Sequence, residues 1–270
     1  MGERYLIACD LDGTLLTGQK TISERTRNVL TTLSALGHKV VIATGRPFHN
    51  SIAFYKELQL NTPMINFNGG YVHHPHDPSF PKRIVPIPYP LAKEIIQTAY
   101  NHSIANIQVE ALNQCYLEMG EDNFSFLSKM TETHCVMGPV LDHLQEDPNC
   151  LVFYSPRKEP IDHLCETLMT EYKEEVKFHR WGPPWNAIEV VPQAVNKAIG
   201  LKYVAEYLHI PQEKIIAFGD QVNDFEMIEF AGYGIAMGNA IDRLKQLAND
   251  VTLTNEEDGI AIYLEKFFKL

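Results

Sequence analysis

The sequence predicts an α/β protein: a doubly wound, Rossmann-like core of parallel strands with an α+β domain inserted into it. Three observations carry that prediction. Short β-branched runs alternate with helical periods in the first and last thirds of the chain, and each run ends in polar or glycine residues. The middle third breaks the alternation and lies between two proline-rich stretches.

Residues 5–9 form a short apolar run that passes into the loop Asp10-Leu11-Asp12-Gly13-Thr14. Thr21 and Glu24 have capping-box spacing, Ser23 is a rival N-cap, and Val29, Leu30, Leu33 and Leu36 keep helical period until Gly37 ends it. A second strand over 39–43 ends in Thr44-Gly45-Arg46, and Pro47 suits the first turn of the helix that follows. The third strand, 63–67, ends in Asn68-Gly69-Gly70. The last third predicts a helix over 196–208 and a strand over 214–218. Gly219-Asp220-Gln221-Val222-Asn223-Asp224 then opens a helix, followed by a strand over 234–237 and a helix over 241–248. Open parallel sheets bind ligands beyond the carboxyl ends of their strands, so the chemistry is expected along that edge.

The insert is expected over 83–188, leaving 1–82 and 189–270 as a discontinuous core. Pro86-Ile87-Pro88-Tyr89-Pro90 and Trp181-Gly182-Pro183-Pro184-Trp185 read as semi-rigid linkers. Helices over 91–101 and 160–172 and a strand over 150–155 fall inside it. It carries 15 acidic against 8 basic residues, so it is no cationic lid for a polyanion. His73, His74 and His76, with Pro75, Asp77 and Pro78, read as an exposed hairpin tip rather than a metal site.

With 270 residues, 45% of them hydrophobic, the chain can bury a sizeable core. Its net charge of −11 argues against nucleic-acid and anionic-membrane partners. No apolar run approaches the ~18 residues of a membrane span. Five cysteines without a C-x-x-C pair suggest free thiols and a cytoplasmic, reducing compartment. Cys9 adjoins Asp10 but reads as a buried strand residue, and Glu189 as lying between the insert's exit and the core. Oligomeric state is not legible.

Asp10 and Asp12 leave the same face of an extended strand end, where neighbouring carboxylates repel unless a cation lies between them. With a divalent metal present, one can ligate and attack while the other passes a proton. The same letters also suit a plain strand-exit turn. Thr44 alone can bond a turn, Lys197 alone can be a solvated helix residue, and Asp220 or Asn223 can cap the helix that follows.

Taken in order, Asp-x-Asp-Gly-Thr-Leu at 10–15, Thr-Gly-Arg at 44–46, Lys197 opening a late helix and Gly-Asp-x-x-Asn-Asp at 219–224 resemble the haloacid-dehalogenase-like phosphohydrolases. The long insert between Thr44 and Lys197 resembles the Cof-type subgroup with a large α/β cap. The resemblance implies a phosphomonoester hydrolase acting on small phosphorylated metabolites such as sugar phosphates, phosphorylated cofactors or nucleotides. It makes Asp10 the nucleophile that becomes an aspartyl-phosphate, and Asp12 the general acid and then base. Thr44 and Lys197 hold the transferring phosphoryl oxygens, and Gly45, Arg46, Asn68 and Asn223 join them in binding substrate. Asp10, the backbone carbonyl of Asp12, Asp220 and Asp224 would hold Mg²⁺; all-oxygen ligation suits that ion better than zinc. Two positions depart from the pattern: Ala198 stands where the family often has Gly, and Gly70 where Ala is commoner. A phosphomutase on the same core and a phosphate-binding regulator that has lost turnover are the rival readings.

Overall fold

The computed structural model describes residues 3–104, 106–112, 114–118, 135–181 and 186–270. The chain divides into two compact units. Unit 1 comprises the chain through Arg46, Ser51–Arg83 and Asn196–Leu270; unit 2 comprises Pro47–Asn50 and Ile84–Val195. In chain order the strands are β1 Leu6–Cys9, β2 Lys39–Ile42, β3 Met64–Asn66, β4 Tyr71–His73, β5 Arg83–Ile84, β6 Asn106–Glu110, β7 Cys115–Leu117, β8 Cys135–Met137, β9 Cys150–Tyr154, β10 Val176–Arg180, β11 Ala187–Pro192, β12 Ile215–Gly219, β13 Tyr233–Ala236 and β14 Asp250–Val251.

The main sheet of unit 1 has the order β14-β13-β12-β1-β2 and is parallel throughout. A parallel bridge from Ala43 to Ile65 brings β3 to its edge. Leu6, Ile7, Ala8 and Cys9 are wholly buried, as expected of a central strand covered on both faces. From β1 the order steps to β2 on one side and to β12, β13 and β14 on the other. The reversal lies between β1 and β12, where such sheets open a crevice at their carboxyl ends.

The helix Glu24–Ala35 is capped by Ser23, whose hydroxyl accepts from the Thr26 amide, so Ser23 rather than Thr21 starts it. The helix Lys197–Leu208 starts from Asn196, whose side chain accepts from the Ile199 amide at 2.8 Å. His73 departs from the expectation of an exposed tip. It lies on β4 opposite Met64, buried, with Nε2 3.0 Å from Asn66 Oδ1, and burial pushes its pKa down to about 4. Val72 and His73 are both buried on this short strand, which the turn chemistry of Pro75 and Asp77 does not signal.

The sheet of unit 2 has the order β10-β11-β9-β6-β7-β8, antiparallel except for β7 with β8. The helices Tyr89–Asn101 and Lys158–Glu171 bury Ile95, Ile96, Ile161 and Leu164 in one core with Ile107, Val109, Leu151 and Phe153. Because β11 lies between β10 and β9, this unit continues past residue 188 to Val195, and Glu189 sits in mid-strand, not in a connection to the core. The entry prolines are built into the unit. Ile87 is buried and its amide donates to the Pro148 carbonyl at 2.7 Å, while Pro88 caps the helix that begins at Tyr89. The exit stretch at 182–185 lies outside the described residues.

Cys115 and Cys135 form a disulfide, which corrects the expectation of five free thiols. The parallel pairing of β7 with β8 sets them directly opposite, their Cα atoms 4.5 Å apart, a juxtaposition that sequence spacing does not reveal. Cysteine usage therefore no longer argues for a reducing compartment. Cys9, Cys150 and Cys165 are free and buried. Among the described residues no helix is long and apolar enough to cross a membrane.

Candidate active site

The parallel ladder carries the chain to Asp10, whose amide donates to the Phe218 carbonyl of β12 at 3.2 Å. The backbone then turns, with the Leu15 amide donating back to the Asp10 carbonyl at 3.1 Å. Gly13 makes the turn at φ +78°, and a Cβ there would lie 2.4 Å from Asp220 Oδ2, so conformation and space both require glycine. On the neighbouring strand end, Asp224 Oδ2 accepts from the amides of Asp220 and Gln221 at 2.9 and 3.0 Å, folding that loop back on itself. Thr14 Oγ1 donates to Asp220 Oδ1 at 3.0 Å and ties the two strand ends together.

Lys197, the first residue of its helix, closes the group. Its Nζ donates to Asp10 Oδ1 and Asp224 Oδ1, each at 2.6 Å, from a side chain wholly out of solvent. Asp10, Asp220 and Asp224 are also buried, and each offers a carboxylate oxygen within 4.8 Å of the others. Burial pushes Asp10 well above the usual carboxylate range, which Lys197 only partly offsets and which Asp224 and Asp220 worsen. Burial, then Asp224, brings Asp220 up to about 7. Burial alone would lower Lys197, but Asp10 and Asp224 hold it above its ordinary value. Three carboxylates thus share one ammonium, and hard oxygens with surplus negative charge are the donor set that Mg²⁺ takes.

Asp12 stands outside this group. Arg46 grips it through Nε to Oδ2 and Nη2 to Oδ1, both 2.7 Å, and Lys20 Nζ lies 2.6 Å from Oδ1. Burial would raise its pKa, but Arg46 and then Lys20 reverse that and hold it at about 2. Thr44 is buried, and its Oγ1 accepts from the Arg46 amide at 3.1 Å. Asn68, at φ +52°, donates its amide to the Thr44 carbonyl at 3.0 Å, and its Oδ1 accepts from Asn223 Nδ2 at 2.9 Å. A Cβ on Gly45 would lie 3.1 Å from Asn68 Nδ2. Gly69, at φ +93°, lies against the start of the lysine helix: a Cβ there would be 2.3 Å from the Asn196 carbonyl oxygen.

The structure therefore brings Asp10, Lys197, Asp220 and Asp224 into one charged nest, pairs Asp12 with Arg46, and links Thr44, Asn68 and Asn223. Sequence reasoning missed Thr14 and Lys20. Thr14 stands inside the aspartate motif and was open to notice; Lys20 follows no period and is brought to Asp12 by a tight turn in which its amide donates to the Thr17 carbonyl.

Residues 7–264 match the family model of the haloacid dehalogenase-like hydrolases. The chain belongs to that family. This hydrolase is 40% identical over 266 residues to the 5-amino-6-(5-phospho-D-ribitylamino)uracil phosphatase YitU of Bacillus subtilis, with 98% of each chain covered. The phosphatase YcsE of the same organism, named for the same compound, is 27% identical over 95% of this chain and 92% of its own. The crystal structure of a haloacid dehalogenase-like hydrolase from Bacteroides thetaiotaomicron is similar at a TM-score of 0.84 and 27% identity, covering 98% of this chain and 100% of that one. The chain is thus a phosphatase of the haloacid-dehalogenase-like superfamily, of the Cof type.

Proposed function

We propose that this phosphatase is a Mg²⁺-dependent phosphomonoester hydrolase that works through an aspartyl-phosphate on Asp10. The supporting observation is the nest of three buried carboxylates around one buried ammonium at the β1 and β12 strand ends. Asp10, the Asp12 carbonyl, Asp220 and Asp224 would hold the metal, which supplies charge neutralisation for the phosphoryl oxygens when bound.

Asp10 attacks phosphorus in line, and the leaving oxygen departs as the acyl phosphate forms. Lys197 stands against the attacking carboxylate, with Thr44 to help it meet the charge on the phosphoryl oxygens. Asn68 and Asn223, already bonded to each other, orient the ester. Asp12 carries the proton. In the state described, both its oxygens are taken by cations, which keep it ionised; it receives a proton from the hydrolytic water only once one of them lets go. Donation to the leaving group requires Arg46 and Lys20 to turn away from it, and a bound phosphate ester is the competing anion that draws them.

The substrate is a small phosphorylated metabolite, and unit 2 supplies its selection as a cap. The likeness to YitU over the full length favours 5-amino-6-(5-phospho-D-ribitylamino)uracil within that class. The test is release of inorganic phosphate by purified protein with Mg²⁺ across a panel containing that compound, sugar phosphates and nucleotides. The reading expects the uracil compound to give the highest kcat/KM; an equal rate on all members, or none, would refute it.

A further inference from the structure

The sheet of unit 2 has two unlike faces. Ile107, Val109, Leu151, Phe153, Ile188 and Val190 join the core that holds the helices, and alternation sends their neighbours to the opposite face. There Gln108 and Glu110 of β6 lie near Cys150 of β9 and Glu189 of β11. Gln108 Nε2 donates to Glu110 Oε1 at 2.5 Å, and the Cys150 thiol donates to Glu189 Oε1 at 3.7 Å. The remaining atoms are orphaned. Among the described residues, Gln108 Oε1, Glu110 Oε2 and His49 Nε2 are shut from solvent and have no hydrogen-bond partner, although His49 Nε2 lies 3.9 Å from Glu110 Oε2. Both amide atoms of Asn149, whose backbone amide donates to the Glu110 carbonyl, are likewise unpaired.

Each such atom costs about 1–3 kcal/mol, and apolar residues of similar size at 108 and 110 would avoid that cost. Retention of several together points to a partner that supplies the missing bonds. We propose that Gln108 and Glu110, with His49 beside them, bind a neutral group rich in N–H or O–H donors, such as the vicinal hydroxyls of a polyol chain or the amino and imide groups of a ring. Donors are required because the orphans on Gln108 and Glu110 are oxygens, held side by side by the bond between these two residues. An anion would bring only acceptors to the orphaned oxygens of Gln108 and Glu110, which need donors. A full cation is not demanded, since burial brings the Glu110 carboxyl up to about 7 and leaves it partly protonated near neutrality. These atoms are shut from solvent, so a ligand meets them only in a more open state of the protein. That the donor-rich group is the organic part of the substrate rests on the phosphatase reading; the binding patch itself does not.

The experiment compares the wild type with Gln108→Leu and Glu110→Met, and with Glu110→Gln if the methionine variant does not fold. Two readouts are used: the ratio of kcat/KM for ribitol 5-phosphate to that for p-nitrophenyl phosphate, and calorimetric binding of 5,6-diaminouracil and of D-ribitol, neither of which carries a phosphate. The expected result is a fall of at least about tenfold in the ratio for the apolar variants, a smaller fall for Glu110→Gln, and loss of probe binding. An unchanged ratio in folded variants, or a wild type that binds neither probe, overturns the proposal; unchanged ratios with raised melting temperatures would mean that the patch holds a buried water only. Failure of the phosphatase reading looks different: no ester is turned over while probe binding and its sensitivity to Glu110 persist.

Discussion

Lys197 of unit 1 and Glu110 of unit 2 are both ionisable groups shut away from water, and the fold treats them in opposite ways. Lys197 has a carboxylate on each of two sides at 2.6 Å, and Asp224, which it holds, is bonded in turn to two backbone amides. Among the described residues, Glu110 has one side-chain bond, from Gln108, and an oxygen with none. A group that acts on the same chemical unit at every turnover can be fully arranged in advance. One that must recognise a particular molecule keeps an open valence for it, at a cost in stability. On the proposed reading, unit 1 carries what all phosphate esters share, and unit 2 carries features on which esters differ.

The hardest test of that division is Asp10→Asn. Its amide neither attacks phosphorus nor carries the charge that Lys197 meets, and turnover should drop by more than about 10³-fold for every ester, with the melting transition retained. Survival of more than a few percent of the activity would break the comparison. Removing metal with EDTA comes next, since three carboxylates remain with one ammonium. Activity should fall to background, return with Mg²⁺ but not Ca²⁺, and the melting temperature should rise as Mg²⁺ is restored. Full activity in chelator would remove the metal from the site.

Lys197→Met should cost about 10²–10³-fold in kcat with a smaller change in KM, the same for all substrates; a substrate-dependent loss would place selection in unit 1. Asp12→Asn is expected to cost about 10²-fold for an alkyl phosphate and clearly less for p-nitrophenyl phosphate, whose leaving group needs no proton. Equal losses would count against proton transfer by Asp12.

The smallest effect concerns stability. Glu110 titrates near 4.5 when unfolded and near 7 in the fold, because burial disfavours its charge. The folded chain binds that proton more tightly, so the stabilisation is complete below about 4.5 and is lost as pH rises through about 7, a difference on the order of 3 kcal/mol. Melting temperature measured from pH 4.5 to 8 should fall less in Glu110→Gln than in the wild type; identical slopes would show that Glu110 is solvated after all.

The charged nest was legible because Asp10 and Asp220 stand at strand ends, which converge wherever a parallel sheet reverses, with Lys197 opening a late helix. Asp10 and Asp220 could be placed that way from the sequence; Thr44 and Lys197 could be placed by the order of motifs that resembles the family's. Lys20 could not, since its approach to Asp12 depends on one tight turn at φ +61°. Glu110 and His49 could not either. The first looks like any acid in an alternating strand, and the second sits just after a motif whose own residues belong to unit 1. The disulfide escaped for the same reason: pairing of β7 with β8 is a long-range event, and nothing local in Cys115 or Cys135 announces it.

Gly69 has an effect on heredity that distance from the phosphate conceals. With the Asn196 carbonyl standing where a Cβ would go, any side chain at 69 must push back the residue that caps the lysine helix. In a random mutagenesis screen scored only by growth on a phosphate ester, replacements at 69 would therefore be lost as readily as those at Lys197. A geneticist would count a glycine that meets no reacting atom among the catalytic positions.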